Sequence, residues 1–361
     1  MTVARAVFIH SAEMESYRYP AEHPFNTIRA KKVRETVGSM GVLSGPDRSE
    51  MAPKPVEGAV LKKFHSARYL NTLKKAAEGQ WGGEALSMGI GTGDCPVFAD
   101  MYDYSAMAAG GSVIGAEMLL SGRADVAFNP SGGLHHAGPE RASGFCYMND
   151  MALACIVLAE AGKKVLYLDV DVHHGDGVAY AFYERNDVMT ISLHQDPRML
   201  FPGTGFANEI GSGEGRGYCV NVPLPIGTYD EAYMKVFEAV VLPLMTAFGP
   251  DVFVLQLGAD GLAGDPLAQL CLTNNTYGDV IGHVLSFDRP VLAAGGGGYD
   301  IENTVRAWAF AWSLFAGAEE AGGLKDKSVA VSKHQQDAVE PVTEVVIKTV
   351  KANIFGLHGL Q

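Results

Sequence analysis

The stretch DVDVHHGDG, residues 169–177, contains five side chains that can bind a metal ion or move a proton: Asp169, Asp171, His173, His174 and Asp176. It continues the apolar run KVLYL, which predicts a buried strand. Side chains alternate along a strand, so Asp169, Asp171 and His173 share one face. At roughly 3.3 Å per residue, Asp169 lies about 13 Å from position 173, too far to share one zinc ion with it. Asp171 and His173 can share an ion if the chain bends where the strand ends. His174 points the other way, and we assign it no catalytic role.

A third ligand must come from another strand end, because hydrolytic zinc sites usually combine three protein ligands with an open position for water. Asp260, which follows the apolar run VFVLQLGA, is the best candidate. An isolated aspartate before a glycine can instead belong to a helix cap or a turn. For the DVDVH stretch that alternative is weak, because two carboxylates and a histidine after a buried strand are costly without a cation or hydrogen-bond partners.

Two adjacent histidines, His135 and His136, lie in the glycine-rich stretch SGGLHHAGPERASGFC. A neutral imidazole beside an activated water can accept a proton and later return it to a leaving amine. Each imidazole needs its other ring nitrogen held by a carboxylate, which fixes the tautomer. Asp169 and Asp176 are the carboxylates left over from the first stretch. The alternative is a pair of histidines in a surface loop.

The glycine run in LAAGGGGYDIEN separates a predicted strand from a predicted helix. A dinucleotide-binding loop is not supported, because Asp300 occupies the last glycine position of GxGxxG. The glycines allow close backbone approach to a crowded site and place Tyr299 at its mouth. A tyrosine hydroxyl can donate a hydrogen bond to a developing oxyanion. The alternative is a tyrosine that merely packs at a helix start.

The elements that must position these groups alternate between strand-like and helix-like segments, which predicts an α/β fold with a largely parallel sheet of about eight strands, flanked by helices on both faces. The strand-like runs are AVFIH, GAVL, ADVAFN, KVLYLDVDV, VMTISLH, GYCVNVP, PDVFVLQLG and RPVLAAGG. The helix-like runs are TIRAKKVRETVGSM, YSAMAAGGSVIGAEMLLSG, NDMALACIVLAEAG, DEAYMKVFEAVVLPLMTAF and IENTVRAWAFAWSLFAG. The polar groups follow the strands, and in open parallel sheets the ligand crevice lies beyond the carboxyl ends of the strands. We therefore expect one edge of one sheet to carry the whole site.

The domain organisation predicted is a single catalytic domain over residues 1–320, since no linker divides it. Residues 321–361 differ in character: a polar segment precedes EPVTEVVIKTVKANIF, which predicts an amphipathic helix packed on the domain.

The composition restricts the class of protein. The 361 residues are 47% hydrophobic and 19% charged, as in a globular protein with a full core. No apolar run approaches the roughly 20 residues that cross a bilayer, and the N-terminus lacks a signal-peptide pattern. Five scattered cysteines without a CxxC pair are typical of reduced thiols, so we expect a cytoplasmic protein and no membrane partner. The formal net charge of −13 argues against nucleic-acid binding and is compatible with a cationic partner such as a lysine-rich segment or a polyamine.

From about Phe8 to about Phe315 the chain resembles the zinc-dependent histone deacetylases and their bacterial relatives, including acetoin-utilisation proteins, within the arginase–deacetylase superfamily. The motifs that carry the resemblance are HPFNTIR, GDCPVF, GGLHHA, SGFCYMND, LDVDVHHGDGV, MTISLH, FPGTG, GYCVNVPL, LGADGLAGDPL and GGGGYD. The chain is more similar to class I enzymes, because Asp176 stands where the class II pattern has asparagine and Tyr299 is present.

The resemblance implies an arginase–deacetylase fold and an amidohydrolase that removes an acyl group from lysine side chains of proteins. It implies that Asp171, His173 and Asp260 bind one catalytic Zn²⁺, with Fe²⁺ possible in cells. His135 would pair with Asp169 and His136 with Asp176, and His136 would be the main base and acid. Tyr299 would bind the substrate carbonyl. The substrate-binding positions implied are Asp94 at the rim, Gly144, Phe145, Phe201 and Leu267 along the tunnel, Gly297, and Arg29 in an internal cavity.

The resemblance also implies two structural K⁺ or Na⁺ sites. One would use Asp169, Asp171, His173, Ser192 and Leu193. The other would use backbone oxygens of Phe182, Arg185 and Val188, near Tyr218. Arg185 departs from the small residue usual at its position, and its guanidinium argues against occupancy of that second site.

Three other functions remain open at this point. An acetylpolyamine deacetylase would use the same chemistry, but it usually has a dimer-forming insertion, which we do not see. An arginase-like dimanganese hydrolase needs a second DxD motif near Asp260, and GADGLAGD lacks that spacing. A non-catalytic acyl-lysine binder would have lost a metal ligand or Tyr299. The oligomeric state and the preferred acyl group are not determined by the sequence.

Overall fold

The computed structural model describes residues 5–361, except for the side chains at positions 319 and 320. Its centre is one eight-stranded sheet in which all neighbouring strands are parallel, with the order β2-β1-β3-β8-β7-β4-β5-β6. The strands are β1 (Ala6–Ile9), β2 (Arg48–Met51), β3 (Val126–Asn129), β4 (Val165–Asp169), β5 (Val188–Gln195), β6 (Cys219–Leu224), β7 (Val252–Gln256) and β8 (Val291–Ala294). The predicted parallel sheet is therefore confirmed.

Helices cover both faces of the sheet. They are α1 (Ile28–Ser39), α2 (Gly58–Leu61), α3 (Ala67–Ala77), α4 (Gly83–Ser87), α5 (Met101–Leu120), α6 (Asp150–Glu160), α7 (Asp176–Ala181), α8 (Asp230–Val236), α9 (Leu242–Phe248), α10 (Asn274–Ser286), α11 (Ile301–Phe315) and α12 (Lys333–Ile354). A π-helical stretch, Phe237–Val241, joins α8 to α9.

The strand sequences explain this layering. Every residue of β4 is buried, as expected for a strand with helices on both faces. Val165 and Tyr167 pack into the apolar layer that includes α6, whereas Leu166 and Leu168 pack into the opposite layer with α8 and α11. A continuous apolar run rather than an alternating one is the sequence pattern that such a strand requires.

Two short segments differ from the sequence prediction. GAVL, predicted as a strand, forms the helical turn Gly58–Leu61, and only Leu61 in it is buried. Four apolar residues fit either structure, so periodicity cannot separate the two. The edge strand β2 has the polar sequence RSEM and no fully buried residue, and it pairs with β1 alone. An exposed edge strand of this kind carries no apolar pattern to detect.

The C-terminal helix is longer than predicted. It begins at Lys333 rather than at Glu340, after Ser332, whose hydroxyl accepts a hydrogen bond from the Gln335 N–H at 3.2 Å. The predicted polar segment is thus partly helical, because a serine at the N-cap satisfies a free N–H of the first turn. Val350 on this helix is fully buried in the same apolar layer as β6. Within residues 5–361, no helix is both long and apolar enough to cross a membrane.

Candidate active site

The chemically active side chains lie at the carboxyl edge of the sheet, in loops that follow four central strands. They are His135 and His136 after β3, Asp171 and His173 after β4, Asp260 after β7 and Tyr299 after β8. In the sheet order, β3, β8, β7 and β4 are consecutive neighbours. Their loops therefore meet, although the chain visits these strands far apart in sequence.

Asp171, His173 and Asp260 form a buried cluster whose candidate ligand atoms all lie within 4.8 Å of one another. The Nδ1 atom of His173 is 2.9 Å from Asp260 Oδ2 and 3.3 Å from Asp171 Oδ1. Asp169 lies outside this cluster, because its Oδ1 accepts the Asp171 N–H at 3.1 Å and its Oδ2 faces a histidine. The chain leaves the regular strand at Asp169, which lets Asp171 and His173 converge.

This cluster stabilises positive charge. Burial alone would lower the pKa of His173, but the carboxylates of Asp171 and Asp260 raise it to about 10. Burial and the neighbouring Asp171 raise the pKa of Asp260 to about 7. Burial would also raise the pKa of Asp171, but the charges on His135 and His173 lower it. Two buried carboxylates thus share one imidazole, so their negative charge is incompletely balanced. A bound divalent cation would balance it.

Each histidine of the adjacent pair has its own carboxylate. His135 Nδ1 lies 2.8 Å from Asp169 Oδ2, and His136 Nδ1 lies 2.7 Å from Asp176 Oδ1. The two Nε2 atoms are 3.0 Å apart, so both imidazoles face the same point. Tyr167, in β4, donates its hydroxyl to Asp169 Oδ2 at 2.6 Å and fixes that carboxylate.

The electrostatic surroundings make the two imidazoles unequal. Burial alone would lower the pKa of His135, but Asp169 and Asp171 outweigh it and raise the pKa to about 9. Burial and the neighbouring His135 lower the pKa of His136 to about 4. At neutral pH the pair therefore holds one extra proton, on His135, and His136 is neutral.

Tyr299 stands beside the cluster with its backbone fixed. Its N–H donates to Asp265 Oδ2 at 2.7 Å, and Asp265 Oδ1 also accepts the Leu267 N–H at 2.9 Å. Burial, together with the Asp260 and Asp171 carboxylates, raises the pKa of the Tyr299 phenol well above its ordinary range. The phenol therefore keeps its proton at neutral pH and can donate a hydrogen bond.

A cavity of about 260 Å³ leads from the surface to these groups. It is lined by Asp94, His136, Gly144, Phe145, His173, Leu200, Phe201, Leu267 and Tyr299. The Phe145 ring meets Tyr299 edge-on at 5.8 Å, and the Phe201 ring meets His136 at 5.0 Å. The walls are thus largely apolar, and the polar groups lie at the floor and the rim.

Comparison with known proteins identifies the family. A model of the histone deacetylase domain matches residues 23–315, most of the chain. The chain belongs to the histone deacetylase family. Histone deacetylase 8 of Xenopus tropicalis is 40% identical over 324 residues, which are 89% of this chain and 86% of that protein. The acetoin utilization protein AcuC of Bacillus subtilis is 38% identical over 322 residues, 87% of this chain and 83% of that protein.

A solved structure agrees with this assignment. The crystal structure of an HDAC homolog from Aquifex aeolicus is similar with a TM-score of 0.84 and 32% sequence identity, and the match covers 94% of this chain and 100% of that one. The resemblance to the family and its fold, expected from the sequence, is confirmed, and the protein is a hydrolytic deacetylase.

Other positions implied by the family resemblance lie at the rim and below the floor of this deacetylase cavity. Asp94, which lines the cavity, accepts the Gly144 N–H through its Oδ2 at 2.7 Å. The buried Arg29 donates to the Gly298 carbonyl at 2.7 Å, and its guanidinium lies 4.5 Å from the Phe25 ring centroid. Gly297 donates its N–H to Asp171 Oδ2 at 2.8 Å. A Cβ atom there would lie 1.9 Å from Asp260, so only glycine fits.

The positions expected to hold monovalent cations lie along β4, β5 and the chain after α7. Ser192 is the register partner of Asp169 across the β4–β5 pair, and Leu193 follows it. At the second expected cation position, the Phe182 carbonyl accepts the Arg185 N–H at 3.0 Å. Val188 is the first residue of β5, and two residues later the Thr190 N–H donates to the Tyr218 carbonyl at 2.8 Å. The Arg185 guanidinium is paired with Asp187 at 2.6 Å, which neutralises its charge.

Sequence reasoning missed several residues that hold the site together. Asp150 is fully buried and accepts hydrogen bonds from the Ser112 hydroxyl at 2.5 Å and from the N–H groups of Gly133 at 3.0 Å and Leu134 at 2.7 Å. Asn149 Nδ2 donates to the carbonyl of His135 at 3.1 Å and to that of Ala137 at 2.9 Å.

Only weak signals pointed to these residues. Asn149 and Asp150 end the motif SGFCYMND, where two polar residues follow an apolar stretch, and Asp265 ends GADGLAGD. Such positions also suit helix caps, and Asn149 does cap α6. Tyr167 lies inside an apolar strand and gave no signal.

Proposed function

We propose that this enzyme removes acetyl groups from lysine side chains of proteins or peptides, with a single Zn²⁺ bound by Asp171, His173 and Asp260. The observation that carries the proposal is the position of this cluster at the floor of a narrow apolar cavity, beside two histidine–carboxylate pairs and Tyr299. A long, flexible side chain with an uncharged end fits such a cavity better than a compact polar substrate does.

The donor atoms fit zinc. Two ligands of one zinc ion lie at most about 4 Å apart. The His173 nitrogen meets that limit against both carboxylates, at 2.9 Å and 3.3 Å, and the whole set lies within 4.8 Å, so a small movement of the carboxylates completes the site. The donor set of two carboxylates and one imidazole also suits Fe²⁺, which we propose as an alternative metal in cells. When bound, the ion supplies Lewis acidity that polarises an amide carbonyl and makes water more nucleophilic.

The residues of the chain then divide the proton transfers. His136 Nε2 accepts a proton from water as the water oxygen bonds to the amide carbon. The same nitrogen returns the proton to the lysine amine as the carbon–nitrogen bond breaks. The products are acetic acid and the lysine amine, and the remaining proton of the acid passes to the amine or to solvent. His135 stays protonated beside Asp169 and stabilises negative charge nearby. Asp176 holds His136 in the tautomer that accepts at Nε2.

Tyr299 supplies the hydrogen bond to the carbonyl oxygen as that oxygen becomes negative. A phenol with a raised pKa remains protonated and donates throughout the reaction. We propose that Phe145, Phe201 and Leu267 contact the methylene chain of the lysine. Asp94 would accept hydrogen bonds from the substrate backbone at the rim, through the carboxylate oxygen that Gly144 leaves free.

Three further assignments are proposals. Gly297 keeps the floor of the cavity narrow, and Arg29 lies behind it. One K⁺ or Na⁺ would bind near Asp169, Asp171, His173, Ser192 and Leu193. A second would bind the carbonyls of Phe182, Arg185 and Val188, where Asp187 offsets the charge of the Arg185 guanidinium. Five free cysteines support a cytoplasmic location.

The test is a panel of substrates assayed with the purified, zinc-loaded protein, with and without a chelator. Acetyl-lysine peptides should be cleaved, and the chelator should abolish cleavage until Zn²⁺ is restored. His136→Ala, which keeps all three metal ligands, is the control for contaminating activity. Faster cleavage of acetylputrescine than of every peptide would replace the proposed substrate with a polyamine. Chelator-resistant cleavage would contradict the metal assignment.

A further inference from the structure

One wall of the cavity is a short surface loop, Phe201–Gly205, between β5 and β6. The Phe201 side chain is 44% exposed, and its ring lies 5.0 Å from His136 and 6.3 Å from His173. An exposed aromatic residue has few neighbours to fix it. Its position must therefore depend on what holds the loop beneath it.

Two buried imidazoles lie directly under this loop. His174 Nδ1 is 2.9 Å from the Thr204 hydroxyl, and His194 Nε2 donates to the Gly205 carbonyl at 2.8 Å. The two rings are 4.8 Å apart, and His194 Nδ1 is held by the Ser192 hydroxyl at 2.8 Å. His174 Nδ1 bonds the Thr204 hydroxyl, and the Asn221 side chain also lies beside the imidazole, whose buried Nε2 has no partner of good hydrogen-bond geometry among the described residues.

The loop touches these rings closely. Gly205 has a φ of +93°, and a Cβ atom there would lie 2.5 Å from His194 Nε2 and 2.6 Å from His174 Cγ. From the other side, the Glu209 carboxylate accepts the N–H groups of Gly205 at 3.1 Å and Phe206 at 3.0 Å. The loop is thus clamped between the imidazoles and a carboxylate, and the glycine makes the close approach possible.

His174 links this clamp to the catalytic floor, because it directly follows His173 in the chain. The backbone of His173 is itself fixed, since its N–H donates to Asp171 Oδ1 at 3.0 Å. A side chain on the next residue therefore has a defined position relative to the metal ligands. The hydrogen bond from the His174 ring to Thr204 then fixes the loop that carries Phe201 relative to those ligands.

We propose that His174 and Thr204 together position Phe201, and that their hydrogen bond sets the width of the cavity around the lysine side chain. His174 is a positioning residue, since it contacts neither substrate nor metal. The inference rests on the proposed function for its consequence in substrate binding, while the clamp itself is a property of the folded chain.

The expected kinetic signature follows from what Phe201 does. A wall residue contacts the lysine methylenes equally in the ground state and the transition state, so a looser wall raises KM more than it lowers kcat. A typical hydrogen bond corresponds to a change of about three- to tenfold in an equilibrium. We expect an effect of that size on KM.

The experiment compares Thr204→Val, which replaces the hydroxyl with a methyl group of similar size, with Thr204→Ser, which keeps it. Thr36→Val, at another partly buried threonine on α1, is the matched control. In Thr204→Val, amide hydrogen exchange over residues 198–210 should become about three- to tenfold faster. KM for an acetyl-lysine peptide should rise by a similar factor, and kcat should change little. Thr204→Ser should restore all of these values.

His174→Phe, which keeps the ring and removes its nitrogens, completes the test. If the two side chains act through one bond, the double variant with Thr204→Val should exchange no faster than the faster single variant. Exchange in Thr204→Val equal to that of the parent protein would overturn the inference, whatever the activity. Faster exchange with an unchanged KM would overturn the role in substrate binding. Failure of the proposed function appears separately, as no zinc-dependent cleavage by the parent protein.

Discussion

At the scale of single residues, the proposed reaction depends on a phenol that keeps its proton. Tyr299 carries a pKa well above the ordinary range because it is buried near Asp260 and Asp171. Tyr299→Phe removes the donor and leaves the ring in place. We expect kcat on an acetyl-lysine peptide to fall about 10²- to 10³-fold, as for other oxyanion donors, with zinc affinity unchanged. Steady-state kinetics and a zinc titration measure the two effects.

The control for this change is Tyr102→Phe, which removes a partly buried phenol on α5 away from the cavity. Its kinetics should match those of the parent enzyme. An unchanged kcat in Tyr299→Phe would remove the residue from the mechanism.

Asp265 acts one step further from the chemistry, by holding the backbone of both Tyr299 and Leu267. Asp265→Ala leaves those two N–H groups without their acceptor, so the tyrosine should shift. Small misplacements of a catalytic group can cost up to about a hundredfold in rate. We expect kcat to fall about ten- to a hundredfold, and Asp265→Asn, which keeps one acceptor oxygen, to lose less. If both variants keep the parent kcat, the backbone of Tyr299 does not need this anchor.

At the scale of elements, the loop after β3 is held by the first turn of α6. Asp150 accepts the N–H groups of Gly133 and Leu134 in a fully buried setting. Asp150→Ala would bury two unsatisfied donors, each worth about 1–3 kcal/mol. We expect the free energy of unfolding to fall by about 2–4 kcal/mol in denaturant titration, with loss of activity. The control is Asp279→Ala, at an exposed residue of α10, which should change the free energy of unfolding by less than about 0.5 kcal/mol. A stability near that of the parent would mean that water replaces the carboxylate.

The sequence predicted the elements wherever burial imposes a pattern. β4 and β7 are buried on both faces and read as apolar runs, and the polar side chains after them were expected at one edge of the sheet. The sequence did not predict β2, because an exposed edge strand needs no apolar residues. It also failed at Gly58–Leu61, because four residues are too few to show a period.

The residue types in the sequence predicted the metal-binding and proton-transferring groups of the site better than they predicted the residues that hold those groups in place. Metal-binding and proton-transferring groups are rare after buried strands, so Asp171 and His173 stood out in the sequence. Supporting groups such as Asp150, Asp265 and His174 act through backbone amides or a single hydroxyl. Their partners lie far away in the chain or look ordinary, and only the folded structure brings them together.

At the scale of the whole molecule, the C-terminal helix belongs to the same packed core as the sheet. Val346, Ile347 and Val350 of α12 lie in the apolar layer that also contains β6 and α8. Lys235 on α8 pairs with Glu344 on α12. The predicted division at residue 320 stays a prediction, and this packing makes the helix a contributor to the stability of the fold.

The stability of the whole molecule should also depend on pH through buried neutral histidines. His65 is 1% exposed, and its Nε2 accepts the N–H of Asn149, the residue that caps α6. Burial lowers the pKa of His65 to about 4. The unfolded chain binds a proton at this residue from about pH 6.5 downward, whereas the folded chain does not until about pH 4. The contribution of His65 is therefore complete above pH 6.5 and is lost as the pH falls toward 4.

The prediction is a difference in slope between two proteins. At 1.36 kcal/mol per pKa unit, the parent should lose up to about 3 kcal/mol through His65 between pH 7 and pH 4. His65→Gln should be less stable at pH 7, because the buried pocket and its Asn149 contact are altered, but it should lose less stability on acidification. Denaturant titrations at pH 7, 6 and 5 measure both slopes, and comparison within the pair cancels the buried carboxylates that the two proteins share. Parallel slopes would show that the imidazole of His65 titrates alike in the folded and unfolded chains.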